Sequence, residues 1–189
     1  MRDFLLYSRL GRTDADWRSM HDAGRLDIVY ECIVGSLFLS HGLRRNVEFN
    51  AVLNGPPNPP MQLRIDGKEL FDVRTDADTW NMILRKVIGG KPHPGITKVK
   101  NSFENLLKEK SQNHSIYVLE ESGKNITQTE LAENPLFVLG DHVGLPKNAE
   151  RFALRYGEKV SLGRTPYLAA SCITIINYLL DLQEHRVNL

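Results

Sequence analysis

Residues 136–139, Leu-Phe-Val-Leu, are an unbroken apolar run that stops at Gly140, with Gly144 and Pro146 close behind. A strand with no polar alternation has no face to turn to water, so it belongs inside a sheet covered on both sides, as in parallel α/β folds. Parallel neighbours need crossover connections, usually helices, which restricts the chain to alternating strands and helices. The same arrangement then repeats. Lys159–Leu162 reads as a strand, Gly163 and Pro166 break it, and an apolar helix follows from about Tyr167 to Leu182.

The upstream pattern agrees with an α/β fold. Phe4–Leu10 reads as a strand, followed by a polar segment with Thr13, Asp14 and Asp16 that Gly24 closes. Leu26, Val29, Ile33 and Leu37 recur at helical steps, and the helix is expected to end at Ser40-His41-Gly42. Val47–Leu53 alternates as a strand, and GPPNPP at 55–60 can be neither helix nor ladder. Met61, Leu63 and Ile65 lead to Asp66-Gly67, a hairpin signal that predicts a small β-hairpin insertion. Asp76–Ile88 is an amphipathic helix, KPHPG at 91–95 a loop, and Asn101 with Glu104 marks a further helix start. Ser115–Leu119 reads as a strand, and a short helix is expected near Ala149–Tyr156. At 189 residues the chain is expected to form one domain, 1–189.

Several chemistries are absent from the motifs. There is no P-loop, no GxGxxG after the first strand, no GxSxG, no HExxH and no paired CxxC. Cys32 and Cys172 stand far apart without zinc-ligand spacing, so neither a disulfide framework nor a structural metal is expected. Asp141-His142 could be a metal or acid/base pair, or could shape its loop through side-chain hydrogen bonds. No stretch reaches the roughly 18 apolar residues of a membrane span. The first residues lack the flanks of a signal peptide, so a cytoplasmic location is expected.

Net charge is only +1, yet residues 1–50 hold seven arginines and no lysine, against seven carboxylates. Arginine's planar fork suits phosphates and stacks on bases, but surface ion pairing accounts for the same composition. The loops Gly140–Pro146 and Gly163–Pro166 follow two apolar strands at the sheet edge where ligands bind in open α/β folds. Glycine there lets backbone approach a ligand, and a nucleoside without phosphates such as S-adenosylmethionine fits. Two tight strand-to-helix turns would look the same.

Four segments in order carry a resemblance: GRLDIVYEC at 24–32, FLSHGLRRNVEFNAVLNGPPNPP at 38–60, FVLGDHVGLP at 137–146, and SLG with CITIINYLLD at 161–181. Together they resemble the archaeal tRNA pseudouridine-N1 methyltransferase family (TrmY) of the SPOUT superfamily, itself related to the Nep-type ribosomal pseudouridine methyltransferases. The likeness spans nearly the whole chain. One departure is local: Pro166 comes two positions later after SLG than the family pattern has it.

The resemblance implies a SPOUT-type, mainly parallel sheet with a C-terminal trefoil knot over approximately 135–189. It implies S-adenosylmethionine bound near Leu139, Gly140, Gly144, Ser161, Leu162, Gly163 and Cys172. A small buried residue at a helix start explains Cys172 as well. The implied reaction is N1-methylation of pseudouridine 54 in the T-loop of tRNA. Asp27 is the candidate general base and Arg25 would orient the base or a phosphate. Asp27 equally suits a helix N-terminus through the helix dipole. Arg9, Arg12, Arg44 and Arg45 would bind RNA, and the family implies a homodimer. A ribosomal RNA methyltransferase, or a non-catalytic RNA-binding or ribosome-assembly module, would carry the same sequence features.

Overall fold

A computed structural model describes the backbone of residues 1–187 and the side chains through Glu184. In chain order the elements are β1 (Arg2–Ser8), α1 (Leu26–Leu37), β2 (Phe38–Leu39), β3 (Gly42–Leu43), β4 (Val47–Leu53), β5 (Met61–Asp66), α2 (Ala77–Ile88), β6 (Ile96–Val99), α3 (Phe103–Lys110), β7 (Ser115–Asn125), β8 (Pro135–Gly140), α4 (Lys147–Ala153), β9 (Gly157–Ser161) and α5 (Ala169–Val187). The main sheet has the order β6-β5-β4-β1-β8-β7-β9. Strands β4, β1, β8, β7 and β9 are mutually parallel, and β5 is antiparallel to both β4 and β6. The sheet is therefore mixed and mainly parallel.

The apolar run at 136–139 behaves as its lack of alternation requires. Phe137 and Leu139 pack with Phe4, Leu6 and the residues of α1, α2 and α5. Leu136 and Val138 pack on the opposite side with Leu5 and the residues of α3 and α4. Successive side chains point to opposite faces of a strand, so β1 and β8 serve both cores at once.

Three expectations need correction. Helix α1 ends at Leu37 rather than near Gly42, because Phe38 turns extended (ψ 140) and the chain folds into the β2–β3 ladder. The Phe38 ring packs edge-on against Trp80 at 6.3 Å, a tertiary contact that local periodicity does not encode. Asp66-Gly67 does not close a two-strand hairpin. The Asp66 carbonyl accepts from Glu69 and Leu70 N–H, turning the chain out toward α2, and β5 finds its next partner only at β6. Strand β6 itself had no clear sequence signal. At α3 the cap is Ser102, which accepts from the Asn105 N–H, one residue beyond the expected Asn101.

Helix α5 is tied to the amino end of the sheet by charge. The Arg2 guanidinium, 3% exposed, reaches Asp181 at 2.8 Å and Glu184 at 2.7 Å. Arg44 adds a two-pronged contact to Asp181 at 2.8 and 2.6 Å, and Asn177 donates to the carbonyls of Gly35 and Ser36 at 3.1 Å each. Burial works against ionisation of Asp181, but the two arginines outweigh it and hold the carboxyl below the usual range. No helix among the described residues is long and apolar enough to cross a membrane.

Asp181→Asn will cost about 2 kcal/mol in urea denaturation, since Arg44 loses its carboxylate and Arg2 keeps only Glu184. The folded-state pKa of Asp181 lies below its unfolded value. Its contribution is therefore complete above about pH 4 and is lost as pH falls through the depressed folded value. A wild-type-minus-variant difference that stays constant down to acid unfolding would contradict this.

Candidate functional site

The five parallel strands open their carboxyl ends on one edge, where the loops after β1, β4, β8, β7 and β9 gather. The loop after β8 is shaped by Asp141. Its carboxylate accepts from the Arg9 N–H at 2.7 Å and the Val143 N–H at 3.0 Å, while its own N–H donates to Tyr7 O at 3.2 Å. His142 Nδ1 stands 3.8 Å from Asp141. Asp141 is thus a loop-shaping residue, and among the described residues no group of three or more His, Cys, Asp or Glu could hold a metal. Gly140 is required by the loop's own path, since a Cβ there would sit 2.1 Å from Leu145 N. Gly144 (φ +83) and Gly163 (φ +108) differ. Their conformations favour glycine, and an added Cβ would meet nothing within 4 Å.

The loop after β9 is closed by Ser161, whose hydroxyl accepts from the Gly163 N–H at 2.9 Å and donates to Gly163 O at 3.0 Å. Between the two loops lies a pocket. Leu139, Gly140, Gly144, Ser161, Leu162, Gly163 and Cys172 all line it, together with Leu119, Glu120 and Glu121. Cys172 is an inert wall. Burial pushes its thiol up to about 11, and Sγ points to Tyr167 O at 3.7 Å.

The two glutamates escaped sequence reading. Leu119 and Lys124 both pair with Val160 of β9, so residues 120–123 loop out of β7 toward the pocket. Burial, then the nearby Glu150 carboxylate, raise the Glu120 pKa, while Lys159 is engaged in an ion pair with Glu150. Such an excursion depends on which strand pairs with β7, and nothing in the local sequence announces it.

Arg25 and Asp27 form a fork at the start of α1, with Nε and Nη2 of Arg25 3.0–3.2 Å from the carboxylate. Arg25 is left-handed (φ 66, ψ 41), an uncommon conformation for a side chain of its size. Burial raises the Asp27 pKa, but the Arg25 hydrogen bonds and charge outweigh it and hold the carboxyl below the ordinary range. Neither Arg25 nor Asp27 is among the residues that line the pocket.

The four candidate RNA-binding arginines divide between the two ends of the sheet. Arg9 and Arg12 follow β1 at the carboxyl edge, with Arg12 paired to Asp14 at 2.6 Å. Arg44 and Arg45 precede β4 at the amino edge, about 20 Å away along the strands. Arg44 is engaged by Asp181, and Arg45 donates to the carbonyls of Gly67 and Leu70 at 2.8 Å each. The structure does not bring these two to the pocket.

Residues 1–185 match a family model described as "Putative SAM-dependent RNA methyltransferase". A tRNA (pseudouridine(54)-N(1))-methyltransferase of Thermococcus kodakarensis is 35% identical over 96% of this chain and 99% of its own length. The enzyme of that name from Methanocaldococcus jannaschii is 33% identical over 96% of this chain and 97% of its own. The chain belongs to this methyltransferase family. Among solved structures, Archaeoglobus fulgidus Nep1 bound to S-adenosylhomocysteine is similar with a TM-score of 0.64. At 14% identity over 87% of this chain and 72% of that one, the likeness shows the shared fold.

Within the family fold the glycines of the pocket are not equivalent. Gly140→Ala drives a methyl group into loop backbone, whereas Gly144→Ala meets open space and suffers only the left-handed penalty of about 1–2 kcal/mol. Urea denaturation will rank Gly140→Ala as the more destabilised. Equal midpoints would mean that the 140–146 loop relaxes freely.

Proposed function

We propose that this protein methylates N1 of pseudouridine 54 in tRNA, using S-adenosylmethionine, in the cytoplasm. The observation that carries the reading is the single pocket lined by both glycine loops and the start of α5, in a chain of this family. Its donor set fits the cofactor. Leu119, Leu139, Leu162 and Cys172 offer apolar walls for a flat base, the open sides of Gly144 and Gly163 leave backbone accessible, and Glu120 and Glu121 favour a cation.

The cofactor supplies an electrophilic methyl group on a cationic sulfur. In pseudouridine N1 bears a proton, because the base is joined to its sugar through carbon, and that proton must leave as the N–C bond forms. We assign proton removal to Asp27, with Arg25 fixing the carboxylate and meeting the base or its phosphate. The same fork that orients Asp27 also lowers its proton affinity, so much of the acceleration comes from holding the two reactants in line. Arg9 and Arg12, at the same edge, meet the RNA. Arg44 and Arg45 reach it only where the RNA extends to the opposite edge.

Two structural features belong to this reading. Residues 1–189 act as one domain, and the region 135–189 forms a trefoil knot whose loops are the two glycine loops; residues 188 and 189 lie outside the described residues. The active form is a homodimer. In support, α1 and α5 pack together and leave a groove lined by Tyr30, Val34, Ala170 and Ile175, and Tyr178 of α5 is 60% exposed.

Mass spectrometry of tRNA nucleosides after incubation with labelled cofactor will show a labelled 1-methylpseudouridine. Its absence would favour a non-catalytic RNA-binding module, and label in ribosomal RNA alone would move the target. In single-turnover reactions Asp27→Asn will lower the rate by roughly 100-fold or more with little change in tRNA binding. Asn keeps the shape of Asp27 but loses the charge of a partly exposed ion pair, so a stability change below about 1 kcal/mol accompanies it. A near-normal rate would remove Asp27 from the chemistry.

A further inference from the structure

From Thr79 to Phe103 the chain carries Arg85, Lys86, Lys91, Lys98 and Lys100, and not one Asp or Glu. The net charge of the whole is +1, so the other residues together sum to −4 (1 − 5). This concentration of charge falls on the last turn of α2, the loop after it, β6, and the residue that follows β6.

None of the five takes part in the ion pairs formed among the described residues. Lys98 donates to Ile88 O, and Lys100 donates to the carbonyls of Asn58 at 3.0 Å and Pro59 at 2.6 Å. Carbonyl acceptors hold an ammonium in place without cancelling its charge. Arg85 and Lys86 suit the carboxyl end of a helix, which explains those two but not the other three.

The basic face is joined to the carboxyl edge. Arg85 lies over the Trp17 ring at 5.7 Å, and Trp17 Nε1 donates to Asn81 of α2 at 2.8 Å, so the loop that bears Arg12 and Arg25 rests on this helix. Lys100 grips the proline-rich loop after β4, which Thr13 binds through the Asn58 N–H at 2.8 Å. Strand β6 is four strands from β8, about 20 Å at the ordinary strand spacing. A ligand that meets both the pocket and this face is far longer than a nucleoside and is a polyanion.

We propose that the α2–β6 face binds the phosphate backbone of the substrate tRNA outside the loop that carries the reacting base. This assignment rests on the tRNA reading above and gives it a surface: the pocket edge takes the base, and the antiparallel side of the sheet holds the body of the RNA. Backbone contacts position an RNA without reading its sequence, and each releases counterions.

Lys86 and Lys91 are exposed and make no side-chain hydrogen bond or ion pair with the other described residues, so Lys86→Gln/Lys91→Gln leaves the fold intact. Full-length tRNA will bind the variant several-fold more weakly, with a salt slope shallower by about 1 per lysine. Affinity for S-adenosylmethionine by calorimetry will stay unchanged, as will methylation of an isolated T-stem–loop fragment. Unchanged tRNA affinity and slope in an otherwise active protein would overturn this surface alone. An equal loss with the fragment and with whole tRNA would also overturn it, by placing the contact at the reacting loop. If the wild type leaves tRNA unmethylated yet the variant still loses tRNA affinity, the activity fails and the surface stands.

Discussion

Strands β1 and β8 are apolar on both faces, and the placement of every other element follows from that. Leu5 and Val138 require one helical layer, Phe4, Leu6 and Phe137 require another, and the sheet is closed to water above and below. Polar chemistry is left with the strand ends. The carboxyl ends of five parallel strands meet there, and the chain takes left-handed turns at Gly144 and Gly163. Open α/β sheets take their ligands at this edge.

The two edges of the sheet use charge differently. At the amino edge charges are buried and matched. Arg2 and Arg44 meet Asp181, and Lys110 bridges Asp3 and Glu48 at 2.5 and 2.6 Å. Burial raises the Glu48 pKa, but hydrogen bonds from Arg64, Lys110 and Asn50 outweigh it and lower its value overall. Such groups hold α5 and α3 against the sheet. Toward the carboxyl edge charges are exposed or only partly buried: Glu121 beside the pocket, Arg25 forked with Asp27, and the lysines beyond α2. Arginine content alone cannot separate these roles, because a guanidinium clamping a helix and one awaiting phosphate have the same composition.

Much of the candidate pocket's lining was legible because it lies on short contiguous segments. Leu139–Gly144 and Ser161–Gly163 are each a strand end and its turn, and local backbone geometry puts their residues on one rim. Asp27 was legible as an acid in a first helical turn, and its fork with Arg25 spans only two residues. The misjudged parts depended on distant partners. Phe38 leaves the helix for Trp80, β6 exists because β5 offers it an edge, and Glu120 reaches the pocket because β9 pairs with β7 on both sides of a four-residue excursion.

By itself the sequence determined the alternation of strands and helices, the double burial of residues 136–139 and the glycine loops, since these rest on side-chain polarity and backbone freedom within a few neighbouring residues. Only the tertiary structure decided which arginines are clamps, that Asp141 shapes a loop, that Gly140 answers to its own backbone, and that the five cations between Arg85 and Lys100 form no ion pair among the described residues. Those outcomes depend on which residues far apart in the chain come within a few ångströms of one another, and the strength of a charge depends on its partners.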